Sequence, residues 1–103
     1  MAMNMQFLMK QAQKIQADIT NAQKKLESTE YEGTAGGGAI KVVAKGNNHI
    51  ESVSIDPDLM KEDVADVEVM LASAVNEVLE KIQKDRDAIL SPITGGAKFP
   101  GAF

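Results

Sequence analysis

The run Ala39-Ile40-Lys41-Val42-Val43-Ala44-Lys45-Gly46-Asn47-Asn48-His49-Ile50-Glu51-Ser52-Val53-Ser54-Ile55 holds the hairpin around which the rest of the chain is organised. Across residues 39–45, Ile40, Val42 and Ala44 alternate with Lys41, Val43 and Lys45. That period of two marks a strand with one buried face. Gly46-Asn47-Asn48 supplies residues that tolerate positive φ, as a tight hairpin turn requires. Residues 49–55 then return antiparallel, with Val53 and Ile55 on one face. Ile50 has the opposite parity, which predicts a bulge or an early strand end beside it.

On the N-terminal side, Thr34-Ala35-Gly36-Gly37-Gly38 reads as a turn and residues 28–34 as a first strand. Three sequential strands joined by short turns make an antiparallel meander covered on one face. Before them, Met5, Leu8, Ala12, Ile15, Ile19, Ala22 and Leu26 follow spacings of 3, 4, 3, 4, 3 and 4, with no Gly or Pro until Gly33. This predicts a long helix with an apolar seam. The seam can lie on the chain's own sheet or pair with a second chain, and both can hold along different parts of one helix. On the C-terminal side, Asp56-Pro57 opens a short helical turn. Asp63 then caps a second long helix with apolar positions Val64, Val67, Leu71, Ala74, Val75, Val78, Ile82 and Ile89. Ser91-Pro92 is expected to end it.

The predicted architecture is therefore α+β: a long N-terminal helix, a three-stranded antiparallel β-meander, a short helical turn and a long C-terminal helix. Residues 1–92 form a single domain, and residues 93–103, rich in Gly and Pro, a flexible tail. A chain of 103 residues is marginal alone, and a second copy is a ready source of further burial. Leu8, Ala12, Ile15, Ile19 and Ala22 on the first helix are the expected core or dimer seam. Val67, Leu71, Val75 and Val78 are their counterparts on the second.

Composition removes several classes of function. There is no cysteine, so no disulfide framework or thiolate metal site can form, as suits a reducing cytoplasm. No stretch approaches a membrane span and no leader is visible, so a cytoplasmic, membrane-free protein is expected. The one histidine, His49, follows a turn. Gly36-Gly37-Gly38 lacks the Gly-Lys-Ser/Thr of a phosphate loop and runs into a strand. Asp56, Asp58, Glu62 and Asp63 lack the spacing of a calcium loop, and capping explains two of them. The residues offer no catalytic constellation, metal site, cofactor site or small-molecule substrate site, and the chain reads as non-enzymatic.

Charge is informative by its distribution. The net is −4, yet residues 1–26 hold four lysines against one acid. With a Debye length of about 8 Å, that helix can be locally positive while the body stays acidic. With Met5 at heptad position a, Lys10 and Lys24 fall at f and Lys14 at c, away from the seam. Gln6, Gln13, Asn21 and Gln23 lie among or beside them. Such a face suits phosphates and is expected to read no base directly, having no arginine or aromatic side chain.

Several strings resemble one family, the YbaB/EbfC nucleoid-associated proteins. They are Leu8-Met9-Lys10-Gln11-Ala12-Gln13-Lys14-Ile15-Gln16, Gly38-Ala39-Ile40-Lys41-Val42, Gly46, and Val53-Ser54-Ile55-Asp56-Pro57. The Ala72, Ala74 and Asn76 run and the terminal Phe99-Pro100-Gly101 complete the set. The resemblance spans essentially the whole chain. It implies a homodimer with helices projecting like tweezers, binding double-stranded DNA, bending or bridging it, and acting in nucleoid organisation and gene regulation. Carried onto this sequence, it implies DNA contact by Lys10, Lys14, Lys24 and Lys25, and by Lys81, Lys84 and Arg86 on the last helix. Glu77, Glu80, Asp85 and Asp87 are interleaved with that second set. The rival reading is a protein-binding adaptor whose exposed seams dock partner helices.

Overall fold

A computed structural model describes residues 4–94 and, for Thr94, the backbone alone. Helix α1 spans Met5–Ser28, strands β1, β2 and β3 span Glu30–Ala35, Ile40–Lys45 and Ile50–Ile55, and helix α2 spans Val64–Thr94. Short 3-10 turns occupy Gly36–Gly38 and Pro57–Lys61. The expected α+β order is present. The sheet is an antiparallel meander in the order β1-β2-β3.

Capping fixes the helix limits. The Asn4 side chain accepts a hydrogen bond from the Gln6 N–H at 3.0 Å and starts α1. The hydroxyls of Ser28 and Thr29 donate to the Lys25 carbonyl at 3.0 and 2.6 Å and close it. Ser28 thus belongs to the helix, and β1 begins at Glu30 instead of residue 28. Asp56 caps the turn that carries Pro57 at its start. The Asp63 side chain accepts from the Ala65 N–H at 3.2 Å at the head of α2.

The sheet resolves the parity conflict in its last strand. Val43 pairs with Ser52 and Ala44 with Ile50, so Glu51 is an extra residue in β3. This bulge returns Ile50 to the face that holds Val53 and Ile55. The inner face of β2 is fully buried. Ile40, Val42 and Ala44 pack with Ala74, Val78 and Ile82 of α2 into one core. Burying each of the larger side chains contributes about 1.5–3 kcal/mol. Val67, Leu71 and Val75 lie half-buried at its margin.

Two glycines let backbones meet. A Cβ on Gly33 would stand 2.2 Å from the Ala74 carbonyl oxygen and 2.7 Å from the Val78 nitrogen, so α2 rests directly on β1. A Cβ on Gly46 would stand 2.0 Å from the Leu26 carbonyl oxygen, so the end of α1 rests on the β2–β3 turn. α1 is anchored there by buried Ala22 and Leu26, while residues 4–18 are all exposed. About 20 Å of helix is therefore an unpacked arm, and the molecule measures 74 × 20 × 18 Å.

One boundary differs from expectation. α2 continues through Pro92 to Thr94. Proline forfeits one helical hydrogen bond, but buried Leu90 and half-buried Ile93 hold the last turn in place. Helix α2 therefore runs two residues past the expected boundary at 92, and residues 95–103, the rest of the expected tail, lie outside the described residues.

Tyr31 of β1 donates its hydroxyl proton to Asp85 of α2, a second tie between strand and helix. Burial, the hydrogen bond to Asp85 and the Asp85 charge raise this phenol from 10.0 to about 12, against a smaller opposing effect of Arg86. A raised phenol pKa means that the folded state holds the proton more tightly than the unfolded one. Its stabilisation is complete below pH 10 and is lost as pH rises toward 12. Tyr31 is the only tyrosine and there is no tryptophan. Ultraviolet titration of the folded protein is thus expected to give a phenolate midpoint near 12, falling to about 10 in denaturant.

Candidate nucleic-acid interface

Lys10, Lys14, Lys24 and Lys25 are all exposed on α1. Among the described residues none of the four lies in an ion pair. Lys41, Lys45, Lys61 and Lys81, by contrast, stand 3.9, 4.0, 4.0 and 3.3 Å from carboxylates of Glu32, Glu51, Asp58 and Glu77. At 3.6 residues per turn, Lys10, Lys14, Asn21 and Lys25 share a sector about 60° wide, with Lys24 flanking it. Lys10 and Lys14 sit on the arm itself. This segment is exposed throughout, and among the described residues no acid of another element forms an ion pair with its cations. Asp18 is the one acid of α1 before Glu27.

The opposite side of α1 is divided. Ala22 and Leu26 are buried and Ile19 is half-buried on the body, whereas Leu8, at 37%, and Ile15, at 42%, remain exposed with Ala12. The seam therefore serves two purposes along its length, body packing at one end and a free apolar strip at the other. A second apolar surface lies on β3. α2 covers β1 and β2, leaving Ile50 at 37% and Val53 at 45% exposure on the inner face of the sheet.

The cations of α2 do not join the α1 set. Lys81 donates to the Glu32 carbonyl at 2.7 Å and is held at the edge of β1. Lys84 is exposed but shares its side of the helix with Glu77 and Glu80. Arg86 is buried, at 8% exposure. Its guanidinium donates to the Gly46 carbonyl at 2.9 Å and more weakly to Gln83 Oε1 at 3.5 Å. It forms the wall of an open cavity of about 260 Å³ with Gln23, Leu26, Glu27, Gly46, Asn47 and Asn48. Arg86, expected at the DNA, is in this chain engaged with the hairpin turn and does not stand with the exposed lysines. It latches α2 to the hairpin turn that also seats α1, because helical phase turns it inward.

Phe7 was missing from the expected site. It lies seven residues before Lys14, at the same heptad position, so the lysine face does carry an aromatic side chain. That spacing was visible in the sequence. Among the described residues no group of three or more His, Asp or Glu side chains could hold a metal ion, and no helix is long and apolar enough to cross a membrane.

The profile of the YbaB/EbfC DNA-binding family matches residues 1–97. The chain belongs to this family. Among its relatives is a nucleoid-associated protein of Pelotomaculum thermopropionicum, 45% identical over 101 residues, covering 97% of this chain and 96% of the relative. A nucleoid-associated protein of Ruminiclostridium cellulolyticum is 43% identical over 102 residues, covering 97% and 89%. The fold is also that of a crystal structure of an uncharacterized Helicobacter pylori protein. The TM-score is 0.79 at 21% identity, over 91% of this chain and 100% of that one.

The Arg86 assignment can be checked directly. Replacing Arg86 with Gln removes a charge-assisted hydrogen bond to a buried carbonyl, at a cost of about 2 kcal/mol. For a domain of this size the melting temperature is expected to fall by about 10 °C. The salt dependence of DNA binding by the folded variant is expected to match the parent.

Proposed function

We propose that this chain acts as a homodimer that binds double-stranded DNA through its phosphates, alters DNA conformation, and serves nucleoid organisation and gene regulation. The observation that carries the reading is the α1 arm, with lysines that no acid of the chain engages in an ion pair among the described residues. Family membership and the nucleoid-associated names of the relatives point the same way. The contacts belong to Lys10, Lys14, Lys24 and Lys25, with Lys84 peripheral and Lys81 only partly available. Phosphate contact by lysine is sequence-tolerant and sensitive to salt. The role is one of binding, not catalysis.

Dimerisation is supported by apolar surface that one chain leaves uncovered. Ile50 and Val53 on β3, together with the half-buried flank of Leu71 and Val75 on α2, offer a second copy a patch continuous with the core. A dimer joined at the bodies leaves both α1 arms free to hold a duplex. Ile15 is exposed in the single chain, so a charge there acts only through association. Sedimentation at micromolar concentration is expected to give a dimer for the parent. Val53→Asp, at a position 45% exposed in the single chain, is expected to give a folded monomer. A monomeric parent would overturn the dimer.

Each neutralised phosphate contributes about −0.9 to the slope of log affinity against log salt. Two chains with two or three engaged lysines each give an expected slope of about −4 to −5 in a shift series across salt concentrations. Changing Lys10, Lys14 and Lys24 together to Gln preserves helix propensity and is expected to weaken binding to any duplex and flatten that slope. The same change at Lys41 and Lys45, each paired with an acid, is expected to have little effect. The free strip of Leu8, Ala12 and Ile15 favours the second reading, an adaptor docking a partner helix. Equal DNA binding by parent and triple variant would make that reading the leading one.

A further inference from the structure

Phe7 is 58% exposed, one turn from the start of an arm whose residues 4–18 are all exposed among the described residues. Its neighbours at i+3, i+4 and i+7 are Lys10, Gln11 and Lys14, the residues that share a helix face with it. Farther along the same sector lie Asp18, Asn21 and Lys25. The other exposed apolar residues of the arm, Met5, Leu8, Met9 and Ile15, point elsewhere. The seam of Met5, Leu8 and Ile15 lies about 80–160° away round the helix, and Met9 flanks it. Phe7 is therefore a lone aromatic ring set among cations and a carboxamide.

The chemistry of this face selects the occupant. A second copy meeting it through the same face would bring Lys10 and Lys14 against their own counterparts, a repulsive arrangement. An acidic, stacked polymer satisfies both components at once, since phosphates meet the lysines and the ring meets an apolar surface. Proteins that bend DNA insert apolar side chains such as Phe between base steps while cations hold the flanking backbone. Resting on the DNA-binding reading above, we propose that Phe7 is the wedge of the arm. It enters between base pairs from the minor groove, and Lys10 and Lys14 hold phosphates within two helical turns of it. Phosphate contact alone has no sequence preference. A wedge favours steps that unstack easily, above all pyrimidine–purine steps such as TA, over stiff A-tracts. The arm then reads deformability.

The experiment uses the full-length protein and two fluorescently end-labelled duplexes of about 26 base pairs, a length suited to measuring bends. One carries a central TA step and the other an A-tract. Energy transfer reports bending and titration reports affinity. Phe7→Ala removes only an exposed ring and raises helix propensity, so folding is expected to be unchanged. The parent is expected to bend the TA duplex and to prefer it. Phe7→Ala is expected to bind the TA duplex about tenfold more weakly, with an unaltered salt slope, no bend and no preference. Phe7→Leu, still a wedge residue, is expected to restore part of the bend. Phe7→Trp introduces the only tryptophan, and its fluorescence is expected to be quenched by DNA and unaffected by dilution across the dimer range. If Phe7→Ala bends the TA duplex as the parent does, or loses dimerisation instead, the wedge is wrong while phosphate binding stands. If the parent binds neither duplex, the DNA-binding reading fails and the wedge fails with it.

Discussion

Everything in this molecule is placed by the contact of one helix with one strand at Gly33. With no side chain between them, the backbone of α2 at Ala74 and Val78 lies directly against β1. This approach carries Ala74, Val78 and Ile82 over the inner face of β2, where Ile40, Val42 and Ala44 complete the core. Any side chain at position 33 must lift the helix from the sheet and open that core. The second close approach, at Gly46, then seats the C-terminal end of α1 on the hairpin turn. Arg86 reinforces it from α2 through the same glycine carbonyl. Position and direction of the arm thus follow from two glycines, each serving as a bearing surface for a helix.

The elements that depend on local pattern were legible in the sequence. Alternation in β2 gave its buried face, Gly46-Asn47-Asn48 gave the turn, and the parity of Ile50 announced the bulge that Glu51 forms. The 3-4 spacing gave α1, and Asp56-Pro57 and Asp63 gave the turn and start of α2. What was not legible depends on contacts between elements. Pro92 looked like a terminator because proline preference is local, while burial of Leu90 is not. Arg86 looked available because its charge is written in the sequence, whereas the turn that covers it comes forty residues earlier. Phe7 was obscured for a different reason. Its spacing to Lys14 was plain, but only the unpacked state of the arm shows the ring to be exposed.

The acidic balance of the chain is compatible with a polyanionic partner because charge is segregated along a 74 Å molecule. Acids of the sheet and α2 lie alongside Lys41, Lys45 and Lys81, and so neutralise the body locally. The arm extends beyond that field by more than a Debye length. The net charge of −4 therefore limits unspecific attraction by the body and leaves local attraction to the arm.

The unpacked arm also has a thermodynamic consequence. A helical segment of about fourteen residues without tertiary support lies close to its own helix–coil balance in water. Core residues open only with the whole domain, but the arm can fray turn by turn from Asn4 toward Ala22. Partner binding along it must therefore complete the helix as well as make contacts. The ordering entropy then enters the affinity, and association becomes more exothermic and weakens on warming. The Asn4 cap, by favouring the first turn, lowers that cost before any partner arrives.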